Sequence, residues 1–116
     1  MSDDAASSLL TLEIVRTGNA AVVQCRGKLV AGVNDILYIH ASRLIPDTRR
    51  IVLDLTDLTH MDSMGLGTVI RLYVSARSAG CDLELINLGK RIRQLLGVTN
   101  LLSVFTVIGE SGVKIP

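Results

Sequence analysis

The sequence predicts an α/β fold: one small domain with a mixed, mostly parallel β-sheet in the order β-β-α-β-α-β-α-β and helices packed mainly on one face. Three observations carry this. Short apolar runs alternate with segments of helical period, as in chains that build parallel strands through right-handed crossovers. Ile51-Val52-Leu53 and Leu55 form a nearly continuous apolar run, interrupted by Asp54, as in a central strand covered on both faces. The length of 116 residues suits one domain, without repeat, linker or low-complexity stretch. Residues 1–8 read as a frayed tail, 9–109 as the domain and 110–116 as a C-terminal tail.

The elements follow in order. Leu10, Leu12 and Ile14 alternate with Thr11 and Glu13, the period of a half-buried strand. Gly18-Asn19 signals a turn into a second strand, Ala21 to Arg26, which Gly27 should end; a tight turn between neighbours implies antiparallel pairing. Val33, Ile36, Leu37, His40, Ala41 and Leu44 lie on one helix face, and Pro46 should stop that helix. His40 then belongs to a packed or edge-exposed apolar stripe, with no partner near in sequence to make it a ligand or base. After the central strand a polar loop should lead to a helix beginning near Ser63, with Leu66, Val69, Ile70, Tyr73 and Val74 as its buried stripe and Gly80 as a left-handed cap. Cys81 to Ile86 reads as a strand and Lys90 to Leu96 as a short helix with Ile92, Leu95 and Leu96 inward. Ser103 to Ile108 reads as a last strand.

Composition narrows the function. The formal charge is +1, so nothing global attracts nucleic acid or an anionic membrane, and scarce aromatics with no Trp disfavour a base-stacking platform. The basic groups Lys90-Arg91-Arg93 and Arg49-Arg50 read as solvated or partner-contact charge. No window is apolar for long enough to span a membrane and no secretory signal is visible, so a cytoplasmic protein without membrane insertion is expected. Cys25 and Cys81 lack metal-ligand spacing and sit in apolar runs, as reduced core thiols do.

The chemistry concentrates in residues 54–67. Asp54, Asp57 and Asp62 have no His or Glu companion at metal or acid–base spacing and suit structural or capping roles. Ser63 followed by Gly65 is half of a hydrolase elbow, but Met61 stands where the first glycine would be. No Walker ending exists, and Gly65-x-Gly67 alone is a weak dinucleotide signal. An enzyme is not expected, and no cofactor is indicated. Ser63 at a helix start can cap that helix or accept a phosphate. Met61 and Met64 could be contact or core residues, and two glycines in one first turn need a reason, such as close approach by another backbone.

The pattern Leu53-Asp54-Leu55-x-x-Leu58-x-x-Met61-Asp62-Ser63-x-Gly65-Leu66-Gly67 resembles the signature of the anti-sigma-factor antagonists, the STAS domain, over roughly residues 9–108. The resemblance implies phosphorylation of Ser63 by a partner that is both anti-sigma factor and serine kinase, binding of that partner in the unphosphorylated form, and resetting by a phosphatase. It implies partner contact at Lys28, Val30, Met61, Asp62, Ser63, Met64, Gly65, Leu66 and Gly67. The chain departs from the family at Gly27-Lys28-Leu29-Val30, where Gly-Glu-Leu-Asp is common, and at Met64, often a small hydroxyl residue. The family's C-terminal helix has no apolar period in residues 110–116. The alternatives are a constitutive scaffold subunit of a stress-signalling or transporter-associated complex, or a nucleotide-binding module. An apolar patch around Tyr38, Ile39 and Met64 suits weak homodimerisation.

Overall fold

The computed structural model describes residues 9–98 and 112–114. Five strands form one mixed sheet in chain order: β1 (Leu10–Thr17), β2 (Ala20–Leu29), β3 (Arg50–Met61), β4 (Asp82–Ile86) and β5 (Gly112–Lys114). The helices described are α1 (Asn34–Ser42), α2 (Ser63–Ser78) and α3 (Lys90–Val98). β2, β3 and β4 run parallel, whereas β1 on β2 and β5 on β4 are antiparallel. β5 falls in the segment expected to be a tail, and the expected strand Ser103–Ile108 lies outside the described residues.

Alternation in the strands selects the core. Val23 and Cys25 from β2, Ile51, Leu53 and Leu55 from β3, and Leu83 and Leu85 from β4 project to one face and are almost completely buried. Leu37 and Ala41 of α1, Leu66, Val69, Leu72 and Ala76 of α2, and Ile92 and Leu96 of α3 join them in one cluster. Each such large side chain removed from water contributes roughly 1.5–3 kcal/mol, so this aliphatic layer supports a fold with few aromatics. α1 and α2 are also tied by a buried polar pair, Asn34 Nδ2 donating to Thr68 Oγ1 at 3.0 Å, whose hydroxyl donates to the Met64 carbonyl at 3.2 Å.

Three expectations need correction. α1 ends at Ser42, before Pro46, which instead lies second in a short 3₁₀ turn, Ile45–Asp47. The buried stripe of α2 is rotated from the expected one: Gly65, Leu66, Thr68, Val69, Leu72 and Ala76 face inward, and Val74 is exposed. Packing against both α1 and the sheet sets that rotation, and an apolar count along one helix cannot resolve it. The polar loop after the central strand is itself strand. β3 runs to Met61 because β2 continues past Gly27 to Leu29 and keeps pairing with it.

That pairing includes two register shifts. Gln24 faces Asp54, but Arg26 faces Asp57, and Gly27 faces Leu58, but Lys28 faces His60. Each shift inserts one extra residue into β3, which bends and re-aims the strand end. Gly27, at φ +101°, stands at the second shift and is required on its other side: a Cβ there would lie 2.1 Å from the Leu9 carbonyl oxygen.

Candidate functional site at the junction of β3 and α2

The site is built where three chain segments converge at the end of β3. Asp62 is the N-cap of α2, with extended backbone. Its Oδ1 accepts the Gly65 N–H at 2.9 Å, which satisfies a first-turn donor. Its Oδ2 accepts the Ala31 N–H, also at 2.9 Å, from the turn after β2. Its own N–H donates to the Leu29 carbonyl at 3.3 Å and its carbonyl accepts from Leu66 N–H at 2.9 Å. Desolvation opposes the charge on Asp62, yet the N–H groups of Ala31, Gly65 and Met64 outweigh it and hold the carboxyl below the ordinary range.

Gly65 explains itself within the chain. A Cβ at this position would lie 2.0 Å from the Leu29 carbonyl oxygen, so α2 approaches the end of β2 as only glycine allows. Gly67 differs: a Cβ there meets nothing within 4 Å. Of the two glycines, one is required by this chain's own backbone and the other is not.

The expected contact residues separate accordingly. Ser63 and Met64 are exposed, Met64 to 55 %, and Lys28 is exposed on β2. Val30, Met61, Asp62 and Gly67 are half-buried. Gly65 and Leu66 are buried, Leu66 within the core cluster, so their place in the signature serves packing and they offer no surface to a partner. The Tyr38–Ile39–Met64 patch is divided: Ile39 is exposed to 47 %, whereas Tyr38 is half-buried under the Arg71 guanidinium, 4.1 Å from its ring centre, and bonded to Ser75.

Two groups outside the expected contact set belong to the site: His60, and Arg91 of the basic group expected to be solvated or partner-contact charge. His60 and Arg91 border a cleft of about 220 Å³ with Val30, Met61, Asp62 and Ile92. Thr59 Oγ1 donates to the Gly27 carbonyl at 2.9 Å, so it must accept from His60 Nδ1 at 2.8 Å. The other ring nitrogen, Nε2, then accepts from Arg91 at 3.4 Å. Lys28, beside His60 in the ladder, adds a second cation to this edge. The β3 extension places His60 here, and only the register shift reveals it.

The other acidic residues have structural partners. Asp54 accepts from the Thr56 hydroxyl at 2.6 Å, its N–H at 3.1 Å and Asn87 Nδ2 at 3.1 Å. Burial raises the Asp54 carboxyl, but these bonds prevail and keep it below the ordinary range. Asp57 pairs with Arg26 at 3.5 Å, which also reaches Glu13 at 3.7 Å. Among the described residues no group of three or more His, Cys, Asp or Glu could hold a metal, and no helix is long and apolar enough to cross a membrane. Cys25 and Cys81 are buried and unpaired in any disulfide; burial, with Asp54 nearby, pushes the Cys25 thiol up to about 12.

Sheet order, one-sided helices and this capped junction define a small α/β domain that presents the start of one helix beside the ends of two parallel strands. A family model for the STAS domain matches residues 11–112, and the chain belongs to that family. A STAS-domain containing protein of Pseudomonas aeruginosa is 26 % identical over 90 residues, 78 % of this chain and 89 % of that one. The fold is similar to the anti-sigma factor antagonist SpoIIAA in its unphosphorylated form (TM-score 0.68, 21 % identity, 79 % of this chain and 81 % of that chain). It is similar also to an anti-sigma factor antagonist from Mycobacterium paratuberculosis (0.72, 18 %, 81 % and 80 %). The murine anion transporter Slc26a9 contains a matching region (0.66, 13 %, 77 % and 15 %).

Proposed function

We propose that this chain is a non-enzymatic, cytoplasmic regulatory domain of the anti-sigma-factor-antagonist type, switched by phosphorylation of Ser63. Its partners are an anti-sigma factor with serine kinase activity and a phosphatase. The observation that carries the proposal is the exposed Ser63 hydroxyl beside an Asp62 carboxylate already fixed by Ala31 and Gly65. A phosphoryl group there adds roughly −1.5 to −2 charges without disturbing the core. On the contact surface formed with Lys28, Val30, Met61 and Met64, that charge weakens an apolar or acidic partner contact. A loss of about 3 kcal/mol changes affinity roughly a hundredfold.

The test is phosphopeptide mass spectrometry on protein isolated from its own cells, with pull-downs of Ser63→Ala and Ser63→Glu. Modification at Ser63, with Ser63→Ala retaining and Ser63→Glu losing a partner, is expected. Absence of modification with equal binding by both variants would remove the proposal.

A second reading is a constitutive scaffold subunit, favoured by Lys28 and Val30. Val30 lines the cleft and Lys28 stands at its edge, where the family commonly carries acidic groups. It predicts co-purifying partners that ignore the state of Ser63.

A further inference from the structure

Two first-turn donors of α2 are already engaged: the Gly65 N–H is bonded to the Asp62 side chain and the Leu66 N–H to the Asp62 carbonyl. A phosphoryl group on Ser63 would stand beside a fixed negative charge, which calls for a counter-charge.

Arg91 lines the cleft at this end of the sheet, with Lys28 opposite His60 in the ladder as a second cation nearby. Of the other arginines, Arg16, Arg26 and Arg50 are paired with carboxylates, and Arg71 and Arg77 lie over tyrosine rings. Among the described residues Arg91 has no carboxylate in ion-pair range; its partner is the neutral His60 imidazole at 3.4 Å. It shares the cleft with Asp62, the residue preceding Ser63. A guanidinium fork matches phosphate oxygens better than it matches a single ring nitrogen.

We propose that Arg91 is the counter-charge for a phosphoryl group on Ser63, and that His60 is a positioning residue that holds the guanidinium ready at the cleft. This rests on the phosphoswitch proposed above and adds its receiving group. When the phosphoryl oxygens take the guanidinium, Arg91 leaves His60 Nε2.

The experiment uses the full chain with phosphoserine installed at position 63 during translation, so it needs no kinase. Phosphorus NMR follows the second ionisation of the ester, ordinarily near pH 6. The charged or titratable groups facing it are Lys28 from β2, His60 and Asp62 from the end of β3, and Arg91 from α3. Wild type should titrate about one unit below Arg91→Gln, with Arg91→Lys between them and Arg93→Gln like wild type. His60→Gln should retain the direction of the shift with a smaller size. The proposal is overturned if Arg91→Gln titrates like wild type, if Arg93→Gln moves the ester equally, or if His60→Gln leaves the size of the shift unchanged. Saturation of the Arg91 side-chain signals by millimolar inorganic phosphate in the unmodified chain would also overturn assignment to the ester. None of these outcomes depends on whether cells phosphorylate Ser63.

Discussion

The Gly65 Cα lies against the Leu29 carbonyl, so closely that a methyl group placed on it would sit 2.0 Å from the oxygen. Gly67, two residues on, has open space in the same direction. Gly65→Ala should therefore destabilise by about 1–3 kcal/mol or more, through a clash with backbone that cannot rotate away. Gly67→Ala should stabilise by about 1 kcal/mol through helix propensity. Urea denaturation of the two variants checks both signs.

Asp62 joins α2 to the turn after β2. Asp62→Ala removes the cap and leaves the Ala31 N–H without its acceptor, and should cost about 0.5–2 kcal/mol, while Asp62→Asn retains acceptor geometry and should cost less. Amide hydrogen exchange at Ala31 and Gly65 should accelerate together in Asp62→Ala, because one side chain protects both.

The pH dependence follows from Asp54 and Asp62, whose folded carboxyls titrate below the ordinary 3.8. Desolvation opposes both shifts, and the hydrogen bonds to each carboxylate exceed it. A folded value below the unfolded one means that the unfolded chain binds the proton first as pH falls. The stabilisation is complete above 3.8 and is lost as pH falls through the depressed folded values. The urea midpoint should be flat on the neutral side of that window and drop within it. Asp54→Asn should flatten part of the drop.

The Asn34–Thr68 pair gives an asymmetric expectation. Thr68→Val leaves the buried Asn34 amide unsatisfied and should cost about 1–3 kcal/mol. Replacing both residues by apolar ones, Asn34→Leu with Thr68→Val, should cost less than the sum of the single changes. A thermodynamic cycle of the four chains measures the difference.

Cys25 should resist alkylation. Its thiol is buried and is raised to about 12, so little thiolate exists at neutral pH. Labelling by iodoacetamide should follow global unfolding and rise with denaturant.

The strands were legible because their signal is local. The run Ile51 to Leu55 reports burial residue by residue, and the alternation at Leu10, Leu12 and Ile14 located β1, although of these only Leu10 is fully buried and Ile14 is exposed. The Gly18–Asn19 turn and the left-handed cap at Gly80, φ +74°, were equally local. Ser63 and Asp62 could be located because a cap followed by two glycines is a compact pattern. His60 and Arg91 could not, since their meeting depends on β3 pairing with β2 beyond Gly27 and on α3 packing back over that end. The rotation of α2 escaped for a related reason: Val74 and Leu72 are both apolar, and only the tertiary contact decides which of them is covered.

The two inserted residues of β3 have a consequence for how such chains diverge. Upstream of them, Ile51 to Asp54 keeps step with Ala21 to Gln24; downstream, His60 and Met61 keep step with Lys28 and Leu29 under a different offset. The strand thus behaves as two rulers joined by adjustable couplings. Deleting Thr59 would remove the second insert and straighten this end of the strand, with His60 and Met61 still opposite Lys28 and Leu29 and with Ile51, Leu53 and Leu55 still seated. The recognition end can therefore be re-cut by changes of length as well as of letter, with the foundation left unaltered.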